Sequence, residues 1–365
     1  MALQLGLVGL PNVGKSTLFN ALTQAGATVA NYPFTTIDPN IGVVPVPDAR
    51  LDRIAEIVRP ERVVPTTLRV VDIAGLVKGA SHGEGLGNQF LSHIRSVDAI
   101  ALVVRCFVDE NVPHVTETLD PIADIETIVL ELILADLEVM ERHLERVRTQ
   151  AKGRLREHEV EIATLEEVMA RLYEGIPVRH IKLEDGQREH LEGVALLTNK
   201  PFLYVANVAE EDLPKGGDLA AKVCNYAAER GEEMIVLCAP LEAELATWEP
   251  AEAASYLSDV GLEARGLNRF IWAGYRLLDY ITFFTMTGGH EVRAWTLRRG
   301  QTALEAAAKI HTDMARGFVR AEVVSFDALD TMGSLAAARE AGRLRIEGRD
   351  YPVQDGDILH IRFNV

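Results

Sequence analysis

The chain has 365 residues, 48% of them hydrophobic and 25% charged, with a net charge of −17. This is enough apolar sequence for a full core and enough length for about two or three domains, while the acidity argues against wholesale polyanion binding and no apolar run reaches membrane-spanning length. Cys106, Cys224 and Cys238 have neither zinc-ligand spacing nor a disulfide framework and read as reduced core thiols, and the amino terminus enters a strand without a basic signal region, so a cytoplasmic protein without membrane contact is expected.

The first element predicted is a strand over residues 3–8, and residues 9–16 follow it as Gly-Leu-Pro-Asn-Val-Gly-Lys-Ser, with helix-forming sequence from Thr17 to Leu22. The spacing G-x-x-x-x-G-K-[ST] between strand and helix is that of a polyphosphate-binding loop. Gly9 and Gly14 let the backbone curl until its N–H groups converge, which makes Asn12, Val13, Gly14, Lys15, Ser16 and Thr17 the phosphate-binding set. Lys15 supplies the cation and Ser16 a hydroxyl for Mg²⁺. From Asn31 to Asn40 the prolines mark an irregular loop whose hydroxyls, that of Thr36 included, can serve the same ion. A strand at 67–72 then ends in Asp72-Ile73-Ala74-Gly75, where Asp72 is placed to hold an Mg²⁺ water and Gly75 to bring an N–H to the γ-phosphate.

Further strand signals at 42–46, 98–106, 202–207 and 233–239, mostly separated by helical patterns, predict an open α/β sheet covered on both faces. Between Asp124 and about Leu197 the strand signal stops. Ile125, Ile128, Leu132, Leu137, Met140, Leu144 and Val147, then Ile162, Leu165, Val168, Met169 and Leu172, recur at helical spacing on either side of Gly153. They predict an inserted antiparallel helical hairpin. At its far tip Arg142, Arg146, Arg148, Lys152, Arg154 and Arg156 face a single acid, Glu145, and read either as a polyanion contact or as a solvated charged surface. Beyond residue 285 there are 11 acidic and 11 basic side chains, so the excess acidity lies upstream. There a strand through Val292, Ala294 and Trp295, a helix from Leu304 to Ile310 and strands at 318–324 and 358–363 fit a β-grasp order. Arg293, Arg298, Arg299, Lys309, Arg316, Arg320, Arg343, Arg345 and Arg349 form an RNA-facing surface or scattered surface charge.

The phosphate loop, the Asn31–Asn40 loop, Asp72 to Val77, Gly83 to Leu91 and the terminal Asp355-Gly356-Asp357 together resemble the YchF family of Obg-like ATPases over essentially the whole chain. The resemblance implies a Ras-like nucleotide domain at 1–123 and 198–280, a coiled-coil arm at 124–197 and a β-grasp module of the TGS type at 281–365. Guanine-reading relatives carry Asn-Lys-x-Asp where this chain has Asn207-Val208-Ala209-Glu210, without the lysine and with a longer acid. ATP is therefore expected over GTP, with Asn207, Val208 and Glu210 at the base and Cys238 and Ala239 supplying backbone contacts. Apolar Leu76 stands where many GTPases use glutamine to orient water; the family's proposed catalytic histidine matches His114, and His82 is the weaker candidate. Asn12 resembles the asparagine that ligates K⁺ in cation-dependent relatives, with a hydrogen-bonding role in the phosphate loop as the equal alternative. The implied function is that of a monomeric, Mg²⁺-dependent, slow ATPase acting as a switch on the ribosome or ribosomal RNA. A GTPase of the Obg type, or a nucleotide-gated binding module without turnover, are the alternatives.

Overall fold

The computed structural model describes residues 4–27, 40–73, 86–109, 111–113, 118–152 and 158–364. It divides into two compact units, Met1–Gly42 with Arg69–Phe270, and Val43–Leu68 with Ile271–Val365.

The first unit is organised by parallel strands β1 (Gln4–Val8), β5 (Ala99–Cys106), β6 (Phe202–Val208) and β7 (Glu233–Leu237). β4 (Thr67–Asp72) pairs with the other side of β1, and β2 (Ile41–Pro45) completes the order β2-β4-β1-β5-β6-β7. β5 and β6 are buried at every residue, because helices cover both faces of a parallel sheet and its central strands have no solvent side. The helices here are α1 (Lys15–Ala27), α3 (Leu86–Ser96), α4 (Pro121–Gln150), α5 (Glu159–Tyr173), α6 (Asp185–Glu189), α7 (Gly217–Glu229), α8 (Ala239–Leu245), α9 (Pro250–Asp259) and α10 (Gly266–Leu277), the last running on into the second unit. α7 buries Ala220, Val223 and Ala227. Cys224, one residue past this stripe, is exposed, which corrects its assignment to the core; Cys106 and Cys238 are buried.

α4 and α5 are the predicted hairpin. Asp120 starts α4 by accepting the N–H groups of Ile122 and Ala123 at 3.0 and 3.4 Å, as an N-cap does. All seven apolar α4 positions picked out by their spacing are buried, as are Leu165, Val168 and Leu172 of α5. The chain returns to β6 under the control of one carboxylate: Asp136, fully buried on α4, accepts from Leu197 N, Thr198 N and Thr198 Oγ1 at 2.7, 2.8 and 2.6 Å. Of the basic cluster, Arg148 pairs with Glu166 across the hairpin at 2.6 Å, Arg142 bonds the Glu138 carbonyl on its own helix, and Arg154 and Arg156 lie outside the described residues.

The second unit is a sheet of order β11-β10-β12-β8-β9-β3, built from β3 (Arg62–Val64), β8 (Tyr280–Thr287), β9 (Glu291–Arg298), β10 (Phe318–Ser325), β11 (Arg345–Glu347) and β12 (Asp357–Phe363). Alternate residues of β8 feed two separate cores. Ile281 and Phe283 pack with α11 (Ala303–Ile310) and α12 (Thr312–Arg316). Phe284 packs with α2 (Ala49–Val58), α13 (Phe326–Met332) and α14 (Leu335–Glu340). Residues 43–68, assigned from sequence to the nucleotide domain, thus belong with the terminal module: Leu51 and Ile54 of α2 complete its second core and β3 extends its sheet beside β9. Asp355 fastens this insertion to the module by accepting from Arg50 at 2.9 Å and from Thr282 N at 2.8 Å. Asp357, 1% exposed, accepts from Tyr351 Oη and Gln354 N at 2.7 and 3.0 Å, so the terminal Asp-Gly-Asp motif is a structural latch.

Candidate functional site

The phosphate loop lies at the carboxyl end of β1, the position at which open α/β sheets place ligands. Asn12 and Gly14 take left-handed backbone angles, φ +64° and +89°, and the loop runs directly into the first turn of α1 at Lys15. Backbone N–H groups and the positive end of a helix dipole are thereby gathered at one spot. Gly9 is needed for a different reason, since a Cβ there would stand 2.8 Å from the Val103 carbonyl oxygen. A cavity of about 530 Å³ opens over the loop, lined by Leu10, Pro11, Asn12, Gly14, Lys15, Ser16 and Thr17 together with Asn40, Asp72 and His93. Within it the ammonium of Lys15, 8% exposed, contacts the carboxylate of Asp72. A lysine and an aspartate of the cavity lining therefore face each other above the loop.

The segment expected to read the base is tied to the loop through Asn207. Asn207, 1% exposed, donates from Nδ2 to the Val13 carbonyl at 2.9 Å, and its Oδ1 accepts from Ala239 N at 2.9 Å. One amide thus ties the phosphate loop to the amino end of α8. The amide carries a second Nδ2 proton besides the one donated to Val13. Val208 closes β6, buried, and Glu210 opens the short turn Glu210–Asp212 at the surface. The Glu210 carboxylate accepts from the phenol of Tyr256 on α9. Tyr256 stacks edge-on against Trp248 at 5.5 Å, and both pack on the cluster of Cys238, Leu241, Leu245, Ala253 and Leu257. Burial pushes the Cys238 thiol up, with Glu210 contributing in the same sense; burial raises Cys106 to about 12, so neither is a reactive thiolate.

Past β5 the chain is held by a buried guanidinium. Arg105, 3% exposed, donates to the carbonyls of Phe107, Val112 and Asp109 at 3.2, 2.9 and 3.2 Å. Asn12 of the phosphate loop donates to the Pro113 carbonyl at 3.1 Å, which gives its side chain a hydrogen-bonding partner within the protein. Gly75, Thr36, His82 and His114 lie outside the described residues. The structure brings the remaining expected residues to one edge of the sheet: Asn12 to Thr17, Asp72, Asn207, Val208, Glu210, Cys238 and Ala239. Tyr256, Arg105 and His93 carry no local sequence signal and emerge from the fold alone.

A parallel sheet with a glycine-bent phosphate loop at the end of a central strand, a lysine-aspartate pair above it and an asparagine bridging to the base segment defines a Ras-like P-loop nucleotide-binding protein. Residues 4–135 match a family model described as a 50S ribosome-binding GTPase, and residues 280–364 match the carboxyl-terminal YchF GTPase model, described as a protein of unknown function. The chain is 51% identical over 367 residues to the ribosome-binding ATPase YchF of Bacillus subtilis and 49% identical over 365 residues to that of Escherichia coli O157:H7, covering 100% of all chains. It resembles the solved structure of the Schizosaccharomyces pombe YchF GTPase with a TM-score of 0.90 and 39% identity, over 99% of this chain and 97% of that one. The chain belongs to the YchF family.

Proposed function

We propose that the chain is a ribosome-associated ATPase switch in which the phosphate loop and Lys15 hold the triphosphate and Asn207 with Glu210 reads the base. The bridge from Asn207 to Val13 and Ala239 supports this reading, because it ties the segment assigned here to the base to the loop assigned to the phosphates. Phosphate oxygens compete for the Lys15 ammonium with Asp72, and each Lys15 contact they gain frees the Asp72 carboxylate. Ser16, exposed in the first turn of α1, and Asp72 are hard oxygen donors on one cavity wall and fit Mg²⁺, with Thr36 as the further donor in this reading. When bound, that ion neutralises charge on the β- and γ-phosphates. The chain supplies orientation: main-chain N–H groups of the loop on the phosphates, with Gly75 a further one, and an imidazole at His114 to accept a hydrogen bond from the attacking water, with His82 the second candidate. Arg105 and Asn12 hold the backbone that leads to His114. Asn12 in this role takes up the alternative to K⁺ ligation. The names of the B. subtilis and E. coli relatives support ATP as substrate and the ribosome as partner.

Turnover of ATP by the intact chain, with and without ribosomes, tests this. Ribosomes raise the rate, and His114→Ala lowers it roughly ten- to a thousandfold while ATP affinity is retained. An unaltered rate in folded His114→Ala removes the histidine from the reading, and undetectable turnover with ribosomes present would replace the enzyme with a nucleotide-gated binding module.

A further inference from the structure

The partner of Glu210 bears on nucleotide choice. Adenine and guanine differ in the donors they present to an acceptor on the Watson–Crick edge. Guanine offers two, the N1–H and the N2 amine, and a carboxylate takes both only by turning its two oxygens to the base together. Adenine offers one, the N6 amine. In this protein Oε1 of Glu210 is already the acceptor of the Tyr256 hydroxyl. Tyr256 does not swing freely: its ring stands edge-on to Trp248 at 5.5 Å and packs on the apolar cluster that includes Cys238 of the base segment. The same contact therefore turns one of the two carboxylate oxygens toward the phenol.

We propose that Tyr256 is a positioning residue for base selection, which by holding Oε1 of Glu210 against its hydroxyl keeps the two carboxylate oxygens from turning to the purine together and favours adenine over guanine. This rests on the reading that Asn207 and Glu210 face the base. It adds a determinant outside the Asn-x-x-Glu string, 46 residues further along the chain. The bond to the Glu210 carboxylate also raises the Tyr256 phenol above its ordinary value.

The test is equilibrium binding of ATP, GTP and ITP, with Mg²⁺, to the full chain and to Tyr256→Phe and Glu210→Ala. Inosine keeps the N1–H of guanine and lacks the N2 amine. In the unmutated chain GTP binds no more tightly than ITP, because the second guanine donor finds no carboxylate oxygen turned toward it. Tyr256→Phe keeps the ring against Trp248 and releases Oε1, and it raises the affinity for GTP relative to ATP by about threefold or more, the scale of one hydrogen bond. ITP gains less than GTP. An unchanged GTP/ATP ratio in Tyr256→Phe, or equal weakening of all three nucleotides, overturns the role of Tyr256. If Glu210→Ala also leaves the ratio unchanged, the base-site reading falls with it; if Glu210→Ala shifts the ratio and Tyr256→Phe does not, only the tyrosine is dismissed. GTP binding far more tightly than ITP to the unmutated chain likewise contradicts the proposal.

Discussion

Gly14 has two independent reasons to be glycine. Its φ of +89° costs an L-residue about 1–2 kcal/mol, and a Cβ there would stand 2.2 Å from the Asn207 amide nitrogen that grips Val13. Gly14→Ala is therefore expected to lower stability by about 1–2 kcal/mol or more and to displace Asn207, weakening ATP binding at least tenfold; thermal unfolding and titration calorimetry measure the two effects separately. Lys15→Ala acts otherwise. It removes the cation above the loop, leaves Asp72 without this counter-charge, and is expected to abolish most nucleotide affinity. An ATP affinity undiminished in Lys15→Ala contradicts the phosphate-site assignment.

Between the arm and the sheet, short segments are joined by one acid. Glu232, the residue before β7, accepts from Arg179 Nε at 2.5 Å, His180 Nε2 at 3.1 Å and Tyr204 Oη at 2.7 Å. It links the turn Val178–His180, which follows α5, to β6. Burial alone would raise the Glu232 carboxyl, but the His180 and Arg179 contacts and the Tyr204 bond outweigh it and hold the group at about 2, below the ordinary 4.5. A depressed acid contributes stability above its unfolded-state value and loses it as pH falls through the folded one. Glu232→Gln is thus expected to destabilise on the order of 2 kcal/mol at pH 7 in urea unfolding, with the gap to the unmutated chain closing between pH 4.5 and 2; a gap independent of pH contradicts this.

How legible each element is in the sequence follows from its burial. β5 and β6 declare themselves as continuous apolar runs because both faces are covered, and the arm does so through the helical spacing of the side chains it buries. β3 and β11 have three residues each, too few for any periodicity to register. The phosphate loop is legible because its chemistry is local: eight consecutive residues carry it. The bonds from Tyr256 to Glu210 and from Asn207 to Val13 span 46 and 194 residues, and only the folded chain brings such partners together.

At the scale of the molecule, two units share one chain that crosses between them more than once. The allocation of residues 43–68 was not legible, because α2 is an ordinary amphipathic helix whose apolar face could meet either sheet; the contacts of Leu51 and Ile54 decide it. Among the described residues no helix is long and apolar enough to cross a membrane. The proposed site residues Asn12 to Thr17, Asp72, Asn207, Glu210 and Ala239 all lie in the first unit, and the proposed function turns on the choice of nucleotide there. Competition between ATP and GTP for the intact chain in the presence of Mg²⁺ addresses it directly. ATP is expected to displace GTP with at least a tenfold advantage in affinity, on the scale of discrimination that one unmet donor produces; GTP binding as tightly as ATP, or more tightly, would contradict a site that selects adenine.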